Sequence, residues 1–358
     1  MKFSMFLMGT KTAHYTDIID QVCEAEYLGL DGAWLAERYF ASADLLCPSP
    51  MVLASFLAAR TSRIRLGLAA RVLPFHHPLH VAADTAILDT LSGGRVDLGL
   101  ARGSMDEAPH AAFGVPREEA RARFDEAFEI LLRAFQGQPF SYHGRYFHLD
   151  EVTPRPTCVQ RPHPPLYMVA NHPLSLDHAA ARGLSIFLNG ALRIEELAHA
   201  LARYREVSLA AGHQPDGIDI PVNRFVFVGR TNEHAHRVIR EPFLQFLSER
   251  AADFKTYLLN KFGPLGLDYD FLSREVCLFG DSDSVAERLQ ELEARLGLRH
   301  ILCTFNFITL DQQDCVESMR RFATDVMPRF HSGARAAGSP GYRPPLRSRP
   351  STAPLTIQ

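Results

Sequence analysis

Residues 64–103 read IRLGLAARVLPFHHPLHVAADTAILDTLSGGRVDLGLARG. The run Ile64–Ala69 has the composition of a buried strand, a helix opens after Pro78 and stops at Ser92-Gly93-Gly94, and Val96–Leu100 is a second apolar run. A strand, a helix and a strand of this length form one parallel crossover unit, and the same rhythm continues on either side. Before it lie a strand at Phe3–Leu7, a helix over about Tyr15–Leu28 ended by Gly29, the short run Gly32–Leu35, and a helix from Met51 to Arg60. After it comes a helix within Arg117–Phe135, whose Phe124, Phe128, Leu131, Leu132 and Phe135 recur every three to four residues. Four more strands are expected at Leu166–Ala170, Ser185–Leu188, Asn223–Val228 and His300–Phe305. Helices follow at Leu174–Arg182, Ile194–Ala211, Ser284–Leu296 and Cys315–Phe330, the third opening on a capping box from Ser284 to Glu287.

Eight strands, each tied to a later helix, make an α/β chain of the (β/α)8 TIM-barrel type, since a doubly wound sheet needs only five or six. Gln138–Pro165 and Phe246–Leu272 break the pattern and read as insertions in active-site loops. In such a barrel the chemistry gathers at the C-terminal strand ends. Here these are Met8-Gly9, Ala36–Pro50, Ala69–His77, Ala101–Gly114, Asn171–Ser175 and Phe305–Ile308. The body is expected to span 1–330. From His331 to Gln358 there are five Pro, four Arg and no acidic residue, a composition that predicts a disordered tail.

Composition excludes several classes. Of 358 residues 46% are hydrophobic and 22% charged, and the net charge is 38 − 41 = −3, so no basic field favours nucleic acid. No apolar run approaches the roughly 20 residues of a membrane helix, and Phe3–Met8 is too short for a signal core. Six scattered cysteines with no CxxC pair suggest a reduced, cytoplasmic chain. The histidines at 76, 77 and 80 flank Pro78 and do not have metal-ligand spacing, so no metal is expected, and His234 and His236 read as solvated. No GxSxG elbow, Walker loop or GxGxxG after a strand occurs. An anion site is the more favoured reading. Arg102 and Gly103 end one strand, while Asn171, His172 and Ser175 stand at a helix start, where unpaired N–H groups face outward.

Several ordered motifs carry a resemblance. Trp34–Phe40, Gly67–Pro74, Leu88–Arg95, Ala101-Arg102-Gly103, Val169-Ala170, Ser318-Met319 and Asp325–Pro328 are together similar to the bacterial luciferase-like flavin-dependent monooxygenases, the luciferase α subunit in particular. The resemblance runs collinearly from Met1 to about Phe330. It implies a barrel that binds reduced FMN delivered by a separate flavin reductase. With O2 it would form a C4a-hydroperoxyflavin and oxygenate a lipophilic small molecule. By position, Ala69 and Ala70 match a cis pair beneath the flavin, Arg102 and Ser175 match the phosphate ligands, and Ala101 stands where the family has a reactive cysteine. Gly103, Ala170, Asn171 and His172 border the same site. The insertion at Phe246–Leu272 corresponds to the family's active-site lid.

One departure stands out. The family has two histidines after the glutamate, and here they are Arg38 and Tyr39. A guanidinium with a pKa above about 12 cannot act as a base near neutrality. Light emission is therefore not expected, and Arg38, Tyr39 and His172 are the catalytic candidates, with His14, His76 and His77 as further bases. A homodimer joined through the apolar helix Pro78–Leu91 is expected. Two alternatives are F420-dependent hydride transfer on the same barrel and a non-catalytic partner subunit.

Overall fold

A computed structural model describes residues 1–8, 15–40, 47–103, 107–249, 252–307 and 309–330. The expectations for Gly9, His14, residues 41–46, Ile308 and the tail lie outside the described residues. The strands are β1 (Lys2–Leu7), β2 (Gly32–Leu35), β3 (Arg65–Val72), β4 (Val96–Ala101), β5 (Phe140–His143), β6 (His148–Val152), β7 (Leu166–Val169), β8 (Ser185–Phe187), β9 (Val222–Val228), β10 (Cys277–Gly280) and β11 (His300–Thr304). Nine of them form one parallel sheet in the order β10-β9-β11-β1-β2-β3-β4-β7-β8.

The sheet closes on itself at Leu188. Its N–H donates to Pro221 O at 3.1 Å, and Asn223 N–H donates to Leu188 O at 2.9 Å. The eight expected strands thus make the ring of a (β/α)8 barrel. The ninth, β10, pairs with the upper half of β9 from Phe225 to Val228, on the edge where Leu188 meets its lower end.

Side chains alternate across each strand, and the two sets fill two separate cores. Met5, Leu66, Leu68, Leu98 and Ile301 lie under the surrounding helices. Phe6, Trp34, Tyr167, Phe187, Phe225 and Leu302 turn toward the barrel axis. The Trp34 indole lies across Gly67, where a Cβ would stand 2.1 Å from Trp34 Cδ2, so glycine is required there. Beneath it, His300 Nδ1 meets Asp219 Oδ2 at 3.0 Å, Tyr167 donates to the same oxygen at 3.1 Å, and His300 Nε2 meets Ser4 Oγ at 2.9 Å.

Helix formation follows the apolar stripes. Ala120–Gln136 buries Phe124, Phe128, Leu131 and Phe135 and ends at Gly137, whose φ of 65° is the left-handed stop that glycine adopts freely. Some expectations need correction. The helix expected at Ser284 begins at Ser282, because Asp281 accepts the Ser284 N–H at 3.0 Å and caps it, so no Ser284–Glu287 box forms. The last helix runs Gln312–Arg321 and continues as a π-helical and then a 3-10 turn to Phe330. The first insertion contains the antiparallel β5–β6 hairpin. The second lies within a helical excursion between β9 and β10, with helices Asn232–Glu249, Ala252–Phe262 and Tyr269–Glu275. Phe243 and Phe246 of its first helix pack on Phe225 and Phe307 at the top of the barrel axis. Lys261 fastens it to the rim by donating to Ala191 O at 3.0 Å and pairing with Glu196 at 3.1 Å. His236 is not simply solvated, since its Nδ1 lies 2.8 Å from the Tyr269 hydroxyl.

Candidate active site

The anion end is built where β4 and β7 finish. His172 begins the helix Pro173–Ala180 with extended backbone, and its Nδ1 accepts the Leu174 N–H at 3.2 Å. That turn carries Ser175 inward, and the Arg102 guanidinium donates through Nη2 to its hydroxyl oxygen. Nη1 of Arg102 is buried and has no hydrogen-bond partner among the described residues. Burial first, and then the charge of Arg121, push the Arg102 guanidinium below its ordinary pKa, while Asp125 opposes them. This is a cation short of counter-charge. A phosphate oxygen would take the free Nη1 and the Ser175 hydroxyl proton together, so these residues fit a nucleotide phosphate. Nearby, burial first and then Arg182 hold His178 down to about 4, so it is neutral near pH 7. Its Nε2 comes to 3.2 Å from Asp125 without hydrogen-bond geometry.

Beside the anion end, Ala36, Ala69, Ala70 and Ala101 stand at neighbouring ends of β2, β3 and β4 as a floor of alanines, while Ala170 at the end of β7 packs into the core under the helices. The Ala69–Ala70 peptide is cis, and the β3–β4 register shifts between Leu68 and Arg71. Gly99 makes room for this shift, since a Cβ there would meet the Leu68 carbonyl oxygen at 2.2 Å. Asn171 joins the end of β7 to that of β8 by accepting the Asn189 N–H at 3.2 Å.

Between the ends of β2 and β3 sits a buried charge network. Arg71 Nη1 donates to Glu37 Oε2 at 2.5 Å, and Val72 N–H donates to Oε1 at 3.2 Å. His76 Nδ1 lies 3.2 Å from Arg71 Nη2 and its Nε2 lies 2.9 Å from Glu37 Oε1. A guanidinium only donates, so Nδ1 is the acceptor, and Nε2 carries the proton given to Glu37. The Tyr39 hydroxyl stands 3.5 Å from the same Nε2. Burial first, and then the Glu37 charge, raise the Tyr39 phenol well above its ordinary value and push the Cys47 thiol up to about 12. Both groups are therefore protonated near neutrality.

Of the catalytic candidates, Tyr39 joins this network. Arg38 stands beside it, its N–H bonded to Cys47 O at 2.9 Å. His172 is exposed at the end of β7, with β3 and β4 between it and Tyr39. Arg71 escaped the sequence reading. The change of register that turns it toward Glu37 is a property of paired strands, and it has no local sequence signal. Among the described residues no three His, Cys, Asp or Glu side chains converge as a metal site, and no helix is long and apolar enough to cross a membrane.

A family model described as luciferase-like monooxygenase matches residues 1–300. The chain belongs to the luciferase-like monooxygenase family. Among its relatives in that family is the alkanal monooxygenase alpha chain of the Kryptophanaron alfredi symbiont, 27% identical over 325 residues, covering 85% of this chain and 89% of the relative. The oxygenase component of flavin-dependent trigonelline monooxygenase from Acinetobacter baylyi is 28% identical over 194 residues, 52% of this chain and 53% of that one. Among solved structures, monooxygenase RslO1 from Streptomyces bottropensis superposes with a TM-score of 0.80 at 27% identity, over 92% of this chain and all of the other. The luciferase-like family accounts for the barrel and for an oxidoreductase.

Proposed function

We propose that this protein is an FMN-dependent monooxygenase that oxygenates a lipophilic small molecule without emitting light. The observation that carries this reading is the buried, unpartnered Nη1 of Arg102 beside the Ser175 hydroxyl. An internal cation placed next to a hydroxyl, at a helix start and beyond a floor of alanines, matches a nucleotide phosphate with a flat ring beside it. Bound reduced FMN would supply the electron pair that activates O2. The alanine floor leaves space for the ring, Arg102 and Ser175 hold the phosphate, and Gly103, Asn171 and His172 border it. His172 then serves mainly to fix the helix start through its Nδ1. We assign proton handling to Tyr39 with His76. Arg71 pairs with Glu37, Glu37 fixes the His76 tautomer, and the protonated Tyr39 hydroxyl is the group available at the pocket mouth. Arg38 beside them offers a positive charge to an anionic ring or substrate. The helical excursion over residues 232–275 covers the axis and excludes water.

A separate reductase would deliver the reduced flavin, as the words "oxygenase component" say of the trigonelline relative. All six cysteines are unpaired and five are buried, which suits the reducing cytoplasm. Val52 and Phe56 on helix Pro50–Arg60, and Ile87 and Leu91 on helix Pro78–Leu91, are exposed four residues apart on neighbouring helices. We take that apolar face as the homodimer contact. The test is an anaerobic titration of the purified chain with reduced FMN and, separately, with F420. Saturable FMN binding is expected. Binding of F420 alone, or of neither, refutes the reading.

A further inference from the structure

Three rings form a stair at the mouth of the barrel. Phe75, in the turn after β3, stacks on Phe113 with centroids 5.2 Å apart at 27°, and Phe113 lies 6.0 Å from Phe40 at 32°. Two rings brace this stair edge-on. Tyr39 meets Phe113 at 4.8 Å and 71°, and the buried His110 meets Phe75 at 5.0 Å and 78°. The stair does not end inside the core. Phe40 is 58% exposed and Phe113 41%, so ring surface faces outward at the mouth.

Its backbone is unusual as well. Phe40 has a φ of 51°, a left-handed conformation that a bulky residue rarely adopts. Such a conformation persists where surrounding structure enforces it, and it marks positions kept for a role. The stair is also continuous with the proposed flavin site. A Cβ on Gly103 would stand 3.3 Å from the His110 ring, and the Tyr39 hydroxyl belongs to the Glu37–His76 network.

We propose that Phe40, Phe75 and Phe113 are the substrate-recognition wall and that they select a planar aromatic ring system over an aliphatic chain. This rests on the monooxygenase reading and names the substrate class for the same pocket. Near-parallel rings, two of them fixed by edge-on neighbours, offer faces on which a flat molecule continues the stack. They lose little freedom in doing so, because the rings are already held. A flexible alkyl chain gains the apolar contact but loses its own rotational freedom and has no ring face to offer. The pattern is one of face recognition.

The experiment uses the full chain saturated with FMN, with 2-naphthol and 1-decanol as probes, each followed by calorimetric titration. Naphthol is expected to bind about tenfold more tightly than decanol. Phe113→Ala should weaken naphthol about tenfold and decanol less than about threefold, and Phe113→Tyr should restore naphthol binding. If Phe113→Ala fails to fold, Phe40→Ala, on an exposed side chain, is expected to weaken naphthol in the same direction. Equal binding of the two probes overturns the proposal, as does naphthol affinity unchanged in both variants. So does loss of the dimer in gel filtration on either substitution, which would give the wall to a second copy of the chain. If the wild-type chain binds naphthol but not FMN, the flavin reading fails and the wall stands.

Discussion

Replacing Arg102 by Ala tests the anion site at its centre. The guanidinium donates to Ser175 through Nη2, while Nη1 is buried without a hydrogen-bond partner among the described residues. A bound phosphate would receive two charge-assisted hydrogen bonds, one from each of Arg102 and Ser175 or both from the guanidinium fork. Each such bond is worth about 1.5–3 kcal/mol. Removing the guanidinium should therefore weaken FMN by at least about 10-fold, and by about 100-fold or more where both bonds come from the fork. Riboflavin has the same ring and no phosphate, so its affinity should change less than about threefold. The empty protein behaves in the opposite way. Arg102 is pushed down by burial and by Arg121, so its removal discards an uncompensated charge along with one hydrogen bond. Its melting temperature should move by no more than about 2 °C. The assay is parallel anaerobic fluorescence titration of wild type and variant with both reduced flavins, with melting curves of the unliganded proteins. A parallel loss of FMN and riboflavin affinity would mean a damaged pocket and would refute the assignment of Arg102 to the phosphate. Unchanged FMN affinity would refute it as well.

Glu37→Ala strands the buried Arg71 charge and should destabilise the fold by about 3–5 kcal/mol, read by urea denaturation, whereas a similar stability to wild type would disprove the network. Burial raises the Asp219 carboxyl, but the hydrogen bond and charge of His300 together with Lys2 outweigh it and hold the group well below the carboxylate range. The unfolded chain then takes up this proton first, so stability contributed above about pH 4 is lost on further acidification. In Asp219→Asn, acid titration of the melting temperature should show a shallower fall over that interval. Gly99→Ala forces a Cβ against the Leu68 carbonyl and should sharply lower soluble yield and melting temperature. Phe56→Glu should convert a dimer to monomer in sedimentation.

All eight ring strands were legible because each is a short, mostly apolar run bounded by glycine, proline or a helix end. Burial on both faces leaves such runs few polar positions, among them Ser4, Asp97, Asn223, Arg224 and His300, which are themselves buried. The β5–β6 hairpin was missed for the converse reason. Its residues alternate half-buried and exposed, and Ser141, His143 and His148 give it the composition of a loop. At Asp281-Ser-Asp-Ser284 four possible caps compete, and only the register of the helix on the sheet decides among them. The pairing of Arg102 with Ser175 followed from two strand ends that the barrel must bring together. The Glu37–Arg71–His76 cluster joins two loops through a local slip of register, a relation between strands that one-dimensional periodicity does not record.

The closure at Leu188 has a mechanical consequence. Every other joint of the hoop is stitched over three or more residue pairs, whereas here two amide contacts clasp it, and β10 rises above them without pairing to β8. Thermal breathing will part the hoop there first, so the amides of Leu188 and Asn223 should exchange with deuterium sooner than those of β1 and β2. The clasp also lies next to Asn189, itself tied to the flank of the pocket through Asn171. Easing that one seam would leave the opposite wall, β2 and β3 with the Glu37–Arg71–His76 cluster at their ends, rigid.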